Sequence, residues 1–190
     1  MKQATLDLLD SELRKGNLKF QNYPFEDRFG LYRKSFLLDP SNWEKYYPQI
    51  KKYQFHWKEF KYAKMQNINS LINSDKPGIY FFCVKPPELL YNLPNYVLYV
   101  GISNERDSNR SLQERLKDYF YFSIIKKRNN IHRMLQMFYD HIYVVYSLLD
   151  LKSESLREIE QALHAFYYPP ENRRDFPVEF KEAQKAWGKI

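Results

Sequence analysis

Residues 75–86, Asp-Lys-Pro-Gly-Ile-Tyr-Phe-Phe-Cys-Val-Lys-Pro, constrain the fold more than any other stretch of this chain. Asp-Lys-Pro-Gly is turn chemistry, and Ile-Tyr-Phe-Phe-Cys-Val is a strand. Side chains alternate across a strand, so Ile79, Phe81 and Cys83 share one face and Tyr80, Phe82 and Val84 the other. Both faces are expected to be buried, yet one carries a phenol hydroxyl. A buried hydroxyl needs a hydrogen-bond partner. Tyr80 is therefore either a core residue that has found one or a residue whose oxygen has chemistry to do.

The rest of the chain divides around this strand. Residues 1–74 read as a mostly helical, basic and aromatic region. Leu6, Leu8, Leu9 and Leu13 recur near a helical period over 4–15, and Ser41 is a fitting cap for a helix interrupted by Pro48. Residues 56–73 fit a longer helix. Over residues 51–64, Lys51, Lys52, Lys58, Lys61 and Lys64 interleave with aromatic residues, a mixture that suits either phosphate contacts or a solvated helix face. From Pro77 the pattern changes. Strands are expected at 78–84, 95–101 and 141–148, the first two joined by a loop holding Pro86, Pro87 and Pro94. Helices are expected from a capping box at Ser111 and Glu114, over 129–140, and over 153–168 up to Pro169-Pro170. The order β-β-α-α-β-α predicts an α+β fold, a small three-stranded antiparallel sheet flanked by helices, over residues 75–175. Residues 176–190 are a tail or one more short helix.

Bulk properties exclude several classes. Cys83 is the only cysteine, so no internal disulfide can form, and a reducing cytoplasm is the default compartment. No apolar run approaches the roughly 20 residues that span a bilayer, and the N-terminus lacks a signal-peptide core. Net charge is +7, of which +5 falls in residues 1–77. A basic balance favours polyanions, weakly when it is this modest.

Two polar residues stand where apolar ones are expected. At 100° per residue, Arg115 falls inside the arc of Leu112, Leu116, Tyr119 and Phe122. It either snorkels to water or is held toward a site that uses its charge. In the last helix Leu156, Ile159, Leu163, Phe166 and Tyr167 define the apolar arc, Glu158 is solvated, and Glu160 lies at the arc's edge. A carboxylate there needs a cation, either Arg115 in an ion pair or a metal. Glu160 and His164 are four apart and could share a metal, although an exposed pair is the plainer reading.

Four pieces in order, Gly-Ile-Tyr at 78–80, Tyr-Val-Gly at 99–101, Arg-Leu-Lys-Asp-Tyr at 115–119 and residues 160–172, resemble the GIY-YIG nuclease family. The resemblance covers residues 77 to about 175 and leaves 1–74 unaddressed. It implies a metal-dependent endonuclease that hydrolyses DNA phosphodiesters with Mg²⁺ or Mn²⁺. Carried over, Tyr80 and Tyr99 are the motif tyrosines, with Gly78 and Gly101 beside them. Arg115 is the motif arginine, Glu160 the metal-binding carboxylate and Asn172 the motif asparagine. Tyr119 stands where many members have histidine. Tyr80 is the expected general base and Tyr99 its orienting partner, with the two exchangeable. Arg115 would bind a phosphate oxygen as charge grows, and one carboxylate suits an ion that keeps several waters. A chain without a DNA-binding module after residue 175 resembles a restriction or defence nuclease more than a homing enzyme; a repair nuclease is a further member type. Duplex DNA is the expected partner, and a two-strand cut would take a homodimer or two visits. A non-cleaving nucleic-acid-binding module on the same scaffold is the alternative, and a structural domain in which Arg115 pairs with Glu160 the third.

Overall fold

The computed structural model of the protein describes residues 3–65, 67–86, 95–104, 108–172 and 176–186. Its elements run α1 (Gln3–Gln21), α2 (Phe25–Tyr32), α3 (Pro40–Lys51), β1 (Lys58–Lys61), α4 (Ile68–Leu71), β2 (Gly78–Val84), β3 (Tyr96–Ile102), α5 (Leu112–Lys117), α6 (Phe122–Ile125), α7 (Asn129–Met137), β4 (Ile142–Leu148), α8 (Ser153–Tyr167) and α9 (Val178–Ala186), with 3-10 turns at Tyr62–Lys64, Asp118–Phe120 and Tyr139–His141. The class is α+β.

The sheet has four antiparallel strands in the order β1-β4-β2-β3, not three. The added strand comes from the stretch expected to be helical. Lys58–Lys61 pairs with β4, Phe60 opposite Val144, and Phe60 packs on Phe120 and Tyr146. Local propensity gives way here to an open strand edge that needs partners. The 3-10 turn and the short α4 complete what was expected as one long helix.

β2 lies between β4 and β3, so its backbone groups are paired on both sides and both its faces are covered. On one face Tyr80 and Phe82 join a core with Leu112 and Leu116 of α5, Tyr119 of the following 3-10 turn, Met134 and Leu135 of α7, and Leu6, Leu9 and Leu13 of α1. On the other, Ile79, Phe81 and Cys83 meet Leu156, Ile159 and Leu163 of α8. α3 packs against α8, and α9 adds Phe180 to Tyr46, Ala162, Ala165 and Phe176. Residues 1–74 thus supply a strand of the sheet and part of its core.

Helix boundaries differ from expectation where side chains intervene. Asp39, not Ser41, caps α3, its carboxylate accepting from the Ser41 amide at 3.0 Å, and the helix continues through Pro48. α1 extends past residue 15 to Gln21, and Asn17 there donates to the last carbonyls of α7, Gln136 at 2.9 Å and Met137 at 3.2 Å. α5 stops at Lys117 and turns 3-10. The Tyr119 carbonyl accepts from the Tyr62 hydroxyl at 2.5 Å in place of a helical amide. The capping box at Ser111 and Glu114 is formed, and Tyr168 ends α8 in the left-handed region before Pro169. Pro87 and Pro94 of the β2–β3 loop lie outside the described residues, as does the end of the tail after Ala186.

Candidate active site

Tyr80 is fully buried and its hydroxyl has partners. Its oxygen lies 2.6 Å from the Tyr119 hydroxyl and accepts from Arg115 Nε at 3.2 Å. Space for that oxygen is made across the sheet. Gly101 faces Tyr80 from β3, and a Cβ there would come within 2.5 Å of Tyr80 Oη and 3.0 Å of Tyr99 Cε1. A side chain at 101 is incompatible with the phenol cluster. Gly78 is needed for a different reason: a Cβ there would collide with the Ser147 carbonyl, and its amide donates to Ser103 Oγ at 2.9 Å.

Tyr99 sits opposite Phe82 next to an irregularity in β3, where Phe82 pairs with Tyr99 but Cys83 with Val97. Such bulges re-aim side chains. Here the Tyr99 ring stands on the Tyr80 face, 6.2 Å from the Tyr80 ring, and Tyr99 is half-buried. Asn172 holds this edge strand from outside. Its Oδ1 accepts from the Val100 amide at 2.8 Å and its Nδ2 donates to the Val100 carbonyl at 2.9 Å. The Glu171 amide adds a bond to the Leu98 carbonyl at 2.9 Å. Residues 171–172 therefore pair β3 as a short extra strand would.

Arg115 does not snorkel. Its side chain is 13% exposed, turned inward to Tyr80, with Nη1 3.9 Å from Asp118 Oδ2. Asp118 also takes both Nη atoms of Arg110 at 3.1 Å, a bidentate pair that fixes the carboxylate. Tyr119 receives a second guanidinium: Arg128 Nη1 donates to its hydroxyl at 3.2 Å. Two phenol oxygens in contact thus each accept an arginine N–H. Arg110, Asp118, Arg128 and Tyr62 escaped sequence reading, because 3-10 turns and loop junctions carry no helical or strand period. The Arg115–Asp118 spacing of three was the one available signal.

Glu160 lies on α8, the element that covers the opposite face of the sheet, yet it is half-buried beside the β3 edge. Its charge is felt at the Tyr99 phenol. Burial pushes Tyr99 well above the usual phenol range, Tyr119 and Glu160 add to this, and Arg115 opposes it. For Tyr80 burial again raises the phenol, and the nearby Arg115 charge lowers it only in part. Both phenols keep their protons at neutral pH.

Within the described residues, no group of three or more His, Cys, Asp and Glu side chains could hold a metal. A single carboxylate fits Mg²⁺ or Mn²⁺ that stays mostly hydrated. His164 is not an exposed partner for Glu160. It is buried, its ring against Phe176 at 5.2 Å and Nε2 3.5 Å from the Val100 carbonyl. Glu158 is solvated as expected.

The five lysines fall on other elements than the phenol cluster. Lys51 and Lys52 lie at the end of α3, over Tyr47 and Tyr53. Lys58 and Lys61 are on β1, and Lys64 ends the following turn. β1 and β3 are opposite edges of the sheet, three strand spacings apart, or roughly 14 Å. No described helix is long and apolar enough to cross a membrane. No family model, no curated protein and no solved structure matches the chain.

Proposed function

We propose that the protein is a divalent-metal-dependent DNA endonuclease of the GIY-YIG kind, acting as a phosphodiester hydrolase. The observation that carries this reading is the convergence of motif residues from β2, β3, α5 and the following turn: Tyr80 and Tyr119 in hydroxyl contact at 2.6 Å, Arg115 on Tyr80, and Tyr99 within reach of the Glu160 charge. Hydrogen bonding alone would satisfy the buried Tyr80 and Tyr119 hydroxyls; what points beyond packing is that two guanidiniums, Arg115 and Arg128, also converge on them.

Each residue then has a role. Arg115 brings a fixed positive charge to the cluster, which would stabilise a nonbridging phosphate oxygen as charge develops. Tyr80, sealed from water, orients the cluster through Tyr119. Tyr99, which feels the Glu160 charge, would act as the base only as its phenolate, a state that burial opposes and that Arg115 and a cation at Glu160 would have to favour. This is the exchanged order of the two tyrosines; burial raises both phenols, and what favours it is that a cation held by Glu160 would act on Tyr99. Glu160 would hold Mg²⁺ or Mn²⁺, whose charge would polarise the phosphate and would oppose the burial that, more than the carboxylate, raises Tyr99. Gly78, Gly101 and Asn172 fix the strands that aim the tyrosines.

Incubation with supercoiled plasmid and Mg²⁺ or Mn²⁺ tests the reading. Nicking that EDTA abolishes supports it; no conversion of any DNA with either ion refutes it. Removing a general base costs about 10²–10⁴ in rate, so Tyr99→Phe is expected to fall that far, with Tyr80→Phe and Tyr119→Phe less affected. Duplex, single-stranded and branched DNAs in the same assay separate a restriction or defence enzyme from a repair nuclease.

A non-cleaving nucleic-acid-binding module is the second reading. The raised Tyr80 and Tyr99 phenols favour it, because protonated phenols and guanidiniums donate to phosphate without activating water. Binding without cleavage under every ion condition would select it.

A further inference from the structure

Between Asp118 and Asp140 the chain carries no acidic residue, and within that interval stand Lys126, Lys127, Arg128 and Arg133. Lys126 and Lys127 are exposed at the α6–α7 junction, Arg133 is exposed on α7, and Arg128 is half-buried. Among the described residues none of the four is ion-paired, whereas Arg14, Lys15, Lys45 and Arg110 all have carboxylate partners.

Helix stability does not explain the run. Lys126 and Lys127 follow α6, a single turn whose dipole gains little from them, and with Arg128 they precede the N-terminus of α7, the end at which basic residues are disfavoured. Arg128 occupies the cap position and makes no side-chain cap bond. It turns to the phenol cluster instead, Nη1 donating to Tyr119 Oη at 3.2 Å with the guanidinium 5.4 Å from the ring centroid. One of its five N–H groups is used there, and among the described residues the others have no hydrogen-bond partner. Arg128 therefore belongs both to the candidate site and to an uncompensated basic surface.

We propose that the α6–α7 junction is the surface that seats a nucleic-acid duplex beside the phenol cluster. Lys126 and Lys127 contact phosphates flanking the reacting one, and Arg128, steadied by Tyr119, contacts the phosphate next to it. The proposal rests on the nuclease reading for the identity of the adjoining site. It also moves the duplex away from Lys58, Lys61 and Lys64, which lie toward the other sheet edge.

The test is binding by the full chain in EDTA, read by anisotropy of a fluorescent duplex across a salt series. Each phosphate contact contributes about −0.9 to the slope of log K against log salt. The double variant Lys126→Gln/Lys127→Gln is expected to lose about 2 from that slope and tenfold or more in affinity at moderate salt, with an unchanged far-UV CD spectrum. Lys58→Gln/Lys61→Gln is the matched control and should retain the wild-type slope. An unchanged slope in the first variant, or an equal loss in the control, overturns the proposal. So does tighter binding of single-stranded RNA or of anionic phosphatidylserine vesicles than of the duplex. The two readings fail separately, since no cleavage occurs in EDTA. Binding through Lys126 and Lys127 without any nicking keeps the surface and removes the nuclease. Nicking with the slope unchanged in Lys126→Gln/Lys127→Gln does the reverse.

Discussion

At the scale of single residues, the position tied most directly to the phenol cluster is one without a side chain. Gly101 leaves room for the Tyr80 hydroxyl, and the nearest groups to an added methyl are that oxygen and the Tyr99 ring. Gly101→Ala is expected to cost about 1–3 kcal/mol through overpacking and to remove cleavage, because both tyrosines must shift. Chemical denaturation and a nicking assay check this; wild-type values in both would contradict it. Much of the residue scale was legible in the sequence. A strand with two apolar faces located β2, and Arg115 and Glu160 stood out as polar residues in apolar arcs. The partner of the Tyr80 hydroxyl was not legible. Tyr119 meets it only because the chain turns 3-10 at Asp118, where the Tyr62 hydroxyl takes the Tyr119 carbonyl, a contact made across 57 positions of sequence.

Elements carry the site through contacts that no periodicity announces. The extended segment after α2 is tied to the β3 edge by Lys34, whose Nζ lies 2.5 Å from Glu171 Oε1 with both side chains largely buried. Breaking one half of such a pair strands the other charge and costs about 3–5 kcal/mol, while replacing both halves by apolar groups is often neutral. Lys34→Met is expected to lose stability on that order, and Lys34→Met/Glu171→Met to recover most of it in urea unfolding. A double variant no more stable than the single one would refute this account of the edge. The strand β1 shows why elements escape sequence reading. Lys-Glu-Phe-Lys has no strong strand propensity, and its strand state comes from the free edge of β4 that it covers. The strands whose sequences are rich in β-branched and aromatic residues, β2, β3 and β4, were legible to within a residue.

For the whole molecule, one core joins the N-terminal region to the motif-bearing part. Leu6, Leu9, Leu13 and Tyr62 pack with Tyr80, Leu116 and Tyr119. That core is rich in phenols whose burial raises their pKa, Tyr62 and Tyr80 most deeply. The unfolded chain loses those protons near pH 10 while the folded chain keeps them, so the unfolded state binds fewer protons and stability falls as pH rises above about 10. Each such phenol contributes a slope of about 1.4 kcal/mol per pH unit in that window. Urea unfolding between pH 8 and 11 should show a plateau and then a decline, flatter by one such slope in Tyr80→Phe. Stability that holds constant to pH 11 would mean the phenols ionise as easily folded as unfolded.

The central claim is that Tyr99, Tyr80, Arg115 and Glu160 serve one phosphodiester. Single-turnover cleavage of an end-labelled duplex, measured with Mg²⁺ for the wild type and for Glu160→Ala prepared side by side, tests it most directly. Ion-dependent cleavage by the wild type, with loss of all of it in Glu160→Ala, is the predicted result. Equal cleavage by both proteins, or none by either in Mg²⁺ or Mn²⁺, would contradict the account.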